Sequence, residues 1–274
     1  MQQLLPTSDP HVESVEAAFS AQAPRFDEYE RHNPILQWMR QQVHRHLNEY
    51  LHPGDSILDI SAGTGIDAVY FAQRGHPVLA LDIAGGMVRE MELKVREMNL
   101  SSLISVHHGS YSHLSSLAPR KFHHVLSNFG GLNCVSDLRP VTQHLAEILH
   151  PDATVTLVMM PRVCPWEMLH ALKGNFRLAF RRLRRNGTIA RVEGHLFLTT
   201  YYSPSNVIKS FGPRFRMKRL RGLASLSPPP YMETIPKHFP QLYKILTTVD
   251  GSVSTFPPFN RWADHFILTL SFNG

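Results

Sequence analysis

Along the first 160 residues the apolar positions alternate between two periods. Short apolar runs over 57–60, 77–82, 104–108, 122–126 and 153–160 stop at small or polar residues, the pattern of strands buried on both faces of a parallel sheet. Between them the apolar positions return every three or four residues, predicting helices. One runs over 66–75. A second, over 85–100, rests on Met87, Val88, Met91 and Val95, and a third starts at Asp137 as N-cap, with Leu138, Val141, Leu145, Ile148 and Leu149 inward. Two helices precede the first strand, over 15–29 and 34–43, and prolines at 24 and 34 are expected to break the chain there.

After Cys164 the alternation gives way to a longer pattern. Trp166, Leu169, Leu172, Phe176, Phe180 and Leu183 form a helical stripe over 164–185, with arginines opposite and a possible interruption at Gly174. Residues 191–202 read as a strand, 203–212 as a short helix with Pro204 at its first position, and 215–226 as a strand. Residues 228–262, rich in proline and aromatics, read as an insertion or lid, and 263–272 as a closing strand.

The informative unit is 56–82: a strand, a glycine turn at Gly63 and Gly65, a helix stopping at Gly75, and a strand delivering Asp82 at its tip. Gly63-Thr-Gly65-Ile-Asp-Ala68 also satisfies the dinucleotide pattern, so a nicotinamide cofactor competes for the site. Asp59, four residues before Gly63, separates the two readings. Its negative charge is unhelpful beside a pyrophosphate and welcome beside an ammonium or sulfonium group.

The string Leu58-Asp-Ile-Ser-Ala-Gly-Thr-Gly65, the helix after it and Leu81-Asp-Ile-Ala-Gly-Gly-Met87 resemble the class I S-adenosylmethionine (SAM) methyltransferases, nearest to their small-molecule branch. The leading Ala-Phe-Ser…Phe-Asp-Glu-Tyr pattern is similar to quinone- and biotin-pathway members, where such a segment lids the cofactor. The resemblance implies an α/β fold: a Rossmann-like, seven-stranded, mostly parallel sheet with a C-terminal antiparallel hairpin. It further implies a helical lid over 1–50, a cofactor core over 51–162, remaining strands with substrate-cap insertions over 163–262 and a closing strand over 263–274. Asp59, Ser61, Gly63 and Gly65 would cradle the methionine part of SAM, Asp82 its ribose, and Ile83 and Met87 the adenosine. Ser61 stands where the family commonly has its first glycine. Ser110 and Tyr111 fall at the adenine-binding tip, and Asn128 heads the loop facing the methyl group. Phe19, Tyr29, Phe129, Asn133, Trp166, Tyr201 and Tyr231 are the candidate acceptor contacts.

No catalytic residue is assigned, because methyl transfer from a sulfonium relies mainly on proximity and alignment. Among 17 histidines, His195 and His265 carry no distinguishing pattern, and no metal-ligand spacing occurs. Cys134 and Cys164 are expected to be packed thiols. The opening residues lack a signal-peptide pattern and the apolar runs are too short to span a bilayer, so a cytoplasmic protein without a membrane partner is expected. The net charge of +6 is concentrated in 176–185 and 218–221, which allows an anionic small-molecule acceptor; nucleic acid is the weaker alternative partner. An oxidoreductase, an RNA-directed methyltransferase and a SAM-fold protein with non-methylating chemistry are the rival readings, and the oligomeric state is left open.

Overall fold

A computed structural model describes residues 9–274, apart from the side chains of residues 112 and 113; the opening stretch 1–8, read above for targeting, lies outside them. The chain begins with helices α1 (Pro10–His32) and α2 (Pro34–Asn48), then runs β1 (Ile57–Asp59), α3 (Ile66–Ala72), β2 (Val78–Asp82), α4 (Gly85–Glu97), β3 (Ile104–His108) and β4 (Phe122–Ser127). A single turn α5 (Arg139–Thr142) leads to β5 (Leu149–Met159). Short helices α6 (Pro165–Met168) and α7 (Phe176–Ala179) and strands β6 (Thr188–Val192) and β7 (His195–Thr199) follow. The chain closes through α8 (Pro204–Phe211), β8 (Phe215–Leu223), α9 (Thr234–His238), α10 (Pro240–Val253) and β9 (His265–Phe272).

Seven strands form one sheet in the order β3-β2-β1-β4-β5-β9-β8. The first five are parallel, and β9 runs antiparallel to both β5 and β8. Alternate residues feed two apolar layers, as a sheet covered on both faces requires. Leu58, Leu79, Val125, Val155 and Leu268 pack with residues of α5 and α8; Ile57, Val78, Leu126, Val158 and Ile267 pack with Ile35, Met39 and Val43 of α2, Phe71 of α3 and Met91 of α4. The sheet expected from the sequence is present.

Four local expectations change. Helix α1 continues through Pro24. Proline removes the N–H that would bond the Ser20 carbonyl, yet α1 is held there by packing. A Cβ on Gly86 would lie 2.5 Å from the Ser20 oxygen, and the Gly86 N–H donates to Ser20 Oγ at 3.0 Å. The helix read from Asp137 is cut to α5 and a 3-10 turn, Leu145–Glu147, because Leu149 is taken by β5 to pair with Phe122. Asp137 still accepts the Arg139 N–H at 3.0 Å.

The stripe over 164–185 is no continuous helix: Gly174 adopts φ +73°, and α6, α7 and two 3-10 turns replace it. The strand read over 191–202 is instead the end of β6, a turn and β7, which pair as a hairpin. Glu193 and Gly194, at φ +46° and +87°, make the two-residue turn whose twist suits paired strands. The insertion over 228–262 contains α9 and α10.

Two buried histidines predict the acid response. Burial lowers the pKa of His46 to about 3, helped by Arg221 and Arg219, and burial does the same for His124. An unfolded chain takes up these protons near pH 6.5. Their stabilisation is therefore complete above pH 6.5 and is lost progressively as the pH falls towards 3. His46→Leu removes one such site. In urea titrations the variant is expected to gain on the parent protein by about 1.4 kcal/mol for each pH unit below 6.5.

Candidate active site

The turn after β1 is built from both its neighbours. Gly65 takes φ +81°, and a Cβ there would sit 2.7 Å from Met91 Cγ on α4, so only glycine fits. The Gly63 N–H donates to Asp82 Oδ2 at 2.8 Å, and the Ala84 N–H donates to Oδ1 at 2.9 Å. The acid at the tip of β2 thereby fixes the turn, and burial raises its pKa despite these bonds. Asp59 accepts the Ser61 N–H through Oδ1 at 3.2 Å, while its Oδ2 is buried with no partner among the described residues. Burial, reinforced by Asp67, pushes its pKa well above the carboxylate range.

Ser61, the departure from the family pattern, is accommodated from across the cleft. Its Oγ lies 2.8 Å from Ser127 Oγ, and a Cβ on Gly131 would fall 2.4 Å from Ser61 Cβ. The loop after β4 carries the missing glycine.

These turns floor a cleft of about 1020 Å³, counting space open to solvent, at the carboxyl ends of β1, β2 and β4 beneath α1. Ser61, Gly63, Asp82, Ile83, Met87, Tyr111 and Asn128 line it, with Phe19 and Phe129. Asp59, Gly65 and Ser110 are not in its wall, although Asp59 and Gly65 shape it from behind. Of the other acceptor candidates, Tyr29 and Tyr231 are half exposed, Tyr201 is buried 5.3 Å from the Arg182 guanidinium, and Trp166 lies on α6; none lines the cleft. Asn133 is fully committed to the backbone. It donates to the carbonyls of Met160 (3.1 Å) and Thr200 (2.6 Å) and accepts the Met160 N–H (2.9 Å).

The sequence reading missed the charges that close the cleft. Arg40 of α2 donates to Glu30 of α1 through Nε and Nη2, and to Asp67 of α3 through Nη1 at 2.5 Å. Asp67 also bonds His44 Nε2 (2.6 Å) and receives the Asn128 amide (2.9 Å). Burial alone would raise the Asp67 pKa, but Arg40 and His44 hold it below the usual range. Arg40 also lies 4.7 Å over the Phe129 ring. A second tie joins Asp27 of α1 to Lys94 of α4 at 2.5 Å and to Thr64 Oγ1 at 2.5 Å. The available signals were an arginine next to the apolar face of α2 and an acid in the first turn of α3.

Few groups in the wall can accept a proton. Burial lifts the Tyr111 phenol out of reach and the Cys134 thiol to about 12. His11 donates from Nε2 to the Cys134 carbonyl at 2.7 Å, leaving Nδ1 as its basic nitrogen. Away from the cleft, Cys164, Glu167 and Asp264 approach one another, but Arg182 occupies the space between the two acids, 2.7 and 2.8 Å from them.

The strand order, the antiparallel final strand and a cleft where β1 and β4 diverge define a Rossmann-like nucleoside-binding fold of the methyltransferase type. Residues 57–152 match the sequence profile of the family described as a methyltransferase domain. Over those residues, from β1 into β5, the chain is similar to a methyltransferase domain. No curated protein sequence is significantly similar to it. Among solved structures, the CcbJ methyltransferase of Streptomyces caelestis is 13% identical, with 94% of this chain and 98% of that one covered and a TM-score of 0.62. The 1,6-didemethyltoxoflavin-N1-methyltransferase of Burkholderia thailandensis is 14% identical, with 98% and 93% covered and a TM-score of 0.58. The cyclase SpnF is 12% identical, with 99% of both chains covered and a TM-score of 0.62. At these identities the likeness is one of fold.

Two substitutions test the geometry. Gly131→Ala is expected to destabilise the protein by about 1–3 kcal/mol through collision with Ser61, and Ser61→Gly in that background should recover most of the loss, read by urea denaturation. Arg40→Met leaves Glu30 and Asp67 buried without their cation and is expected to cost about 3–5 kcal/mol in the same measurement.

Proposed function

We propose that this protein transfers a methyl group from SAM to an uncharged small-molecule acceptor held between α1 and the loop after β4. The observation that carries the reading is a glycine turn pinned by the buried acid Asp82 in the wall of one cleft beneath α1, with the buried acid Asp59 directly behind that wall.

The residues fit the cofactor. Asp59 Oδ2, buried and unpartnered among the described residues, is suited to a cationic ammonium group. Asp82 has lone pairs left beside its two backbone bonds for ribose hydroxyls, and Ile83 and Met87 supply apolar walls for a purine. When bound, SAM supplies a methyl group on a sulfonium that is already an activated leaving group. The chain contributes alignment: Phe19 and Phe26 of α1 exclude water, and Phe129, Gly130 and Gly131 form the wall opposite.

The charge balance argues for an uncharged acceptor over an anionic one. Arg40, the arginine lining the cleft, is neutralised by Glu30 and Asp67, and nearby Lys94 is paired with Asp27. Where the acceptor must lose a proton, His11 keeps Nδ1 available for it. In this reading residues up to 50 act as the lid and the elements over 163–262 as the cap. The Burkholderia thailandensis enzyme, solved with 1,6-didemethyltoxoflavin and S-adenosylhomocysteine, fits it, whereas the cyclase SpnF shares the fold with a different chemistry.

Calorimetry tests the assignment. SAM and its demethylated product should bind and NADH should not. Asp82→Ala should weaken SAM binding by about 1.5–3 kcal/mol, roughly tenfold to more than a hundredfold. Unchanged affinity in that variant would refute the ribose assignment.

A further inference from the structure

We propose that the outer face of the cap, over residues 169–196, docks on an anionic lipid surface. The proposal does not depend on the acceptor or on the methyl-transfer reading.

Residues 169–196 hold seven Lys and Arg against one acid, Glu193, which pairs with Arg25 of α1; their net charge of +6 equals that of the whole chain. Arg181 and Arg182 are spent on Glu167 and Asp264. The other five, Lys173, Arg177, Arg184, Arg185 and Arg191, are exposed and have no ion-pair partner among the described residues. Large apolar side chains stand among them: Leu172 is 85% exposed, Phe176 63%, Ile189 61% and Leu196 59%. The hairpin shows the sorting residue by residue. Ala190 and Phe197 pair on its inner side and pack with Val15 and Phe19 of α1, while Arg191 and Leu196 pair on its outer side in water. The Thr188 hydroxyl donates to the Arg181 carbonyl at 2.9 Å, joining the hairpin to the segment before it.

Two features choose the occupant. A second copy of the chain would bring the same unpaired cations against these, which disfavours a dry self-interface. RNA would answer the charge and find Phe176 and Phe180 to stack on, but would leave the aliphatic Leu172, Ile189 and Leu196 in water. The boundary between headgroups and acyl chains takes up both at once, cations at the phosphates and apolar side chains beneath. Such docking needs no spanning segment, and no helix of the described residues is long and apolar enough to cross a membrane.

The test is co-sedimentation of the full chain with vesicles of phosphatidylglycerol mixed with phosphatidylcholine, and of phosphatidylcholine alone. Binding is expected to the first, weakening as salt rises, and little to the second. Arg184→Gln with Arg185→Gln should reduce partition about tenfold or more. Leu172→Ser with Phe176→Ser should reduce it by at least about tenfold with SAM affinity unchanged, since neither residue lines the cleft. No sedimentation with anionic vesicles at low salt overturns the proposal, as does partition indifferent to the Leu172 and Phe176 changes. A dimer in light scattering that these changes dissolve would assign the face to a second copy. Salt-sensitive RNA retention without vesicle binding would assign it to nucleic acid; either result excludes the lipid surface.

Discussion

The cleft depends on one buried guanidinium. Arg40 reaches from α2 to an acid on α1 and an acid on α3, so the first two helices and the helix after the glycine turn share a single charge centre. A buried cation is costly unless both its charge and its hydrogen bonds are answered, and here two carboxylates answer them. Asn128 and His44 complete Asp67, which extends the centre to the tip of β4. Such a network specifies position more than it adds stability: the elements fit together only where all its partners meet. Helix α1 is thus part of the folded core, and access to the cleft requires either the open rim or a movement that carries these pairs together.

The core of the fold was legible because each of its elements carries its own local signal. The strand 57–59, its glycine turn and the acid at position 82 are contiguous, and the chemistry that they imply follows from residue type and order alone. A lidding role for α1 is what the resemblance implies. Its continuity through Pro24 did not, since the contact that holds it is with Gly86, 62 positions away from that proline in the sequence. Asn133 looked like an acceptor contact because it follows a glycine loop on β4; only the structure shows its amide spent on the backbone of residues 160 and 200. Arg40 and Glu30 were illegible for the same reason. Partners ten and 27 residues apart meet through tertiary packing, and neither neighbourhood announces the other.

The cap shows where periodicity misleads. A helical repeat of apolar residues over 164–183 is the ordinary mark of a face turned inward, yet Gly174 divides the run and the inward places go to Glu167, Ala179 and Arg182. Hydrophobic spacing reports that side chains share a direction within an unbroken helix. Once the helix is cut, each piece orients by its strongest tether, and here the tethers are the ion pairs of Glu167 and Asp264.

Ser61 and Gly131 carry a last consequence. The glycine at 131 leaves the room that the Ser61 side chain occupies, so the first loop takes a larger residue than its linear signature leads one to expect. A pattern search confined to one loop counts this as a defect. Counted in three dimensions it is a fit: Gly131 makes space for the Ser61 side chain, and the Ser61 hydroxyl gains Ser127 as a neighbour that ties β1 to β4 at the point where the sheet divides.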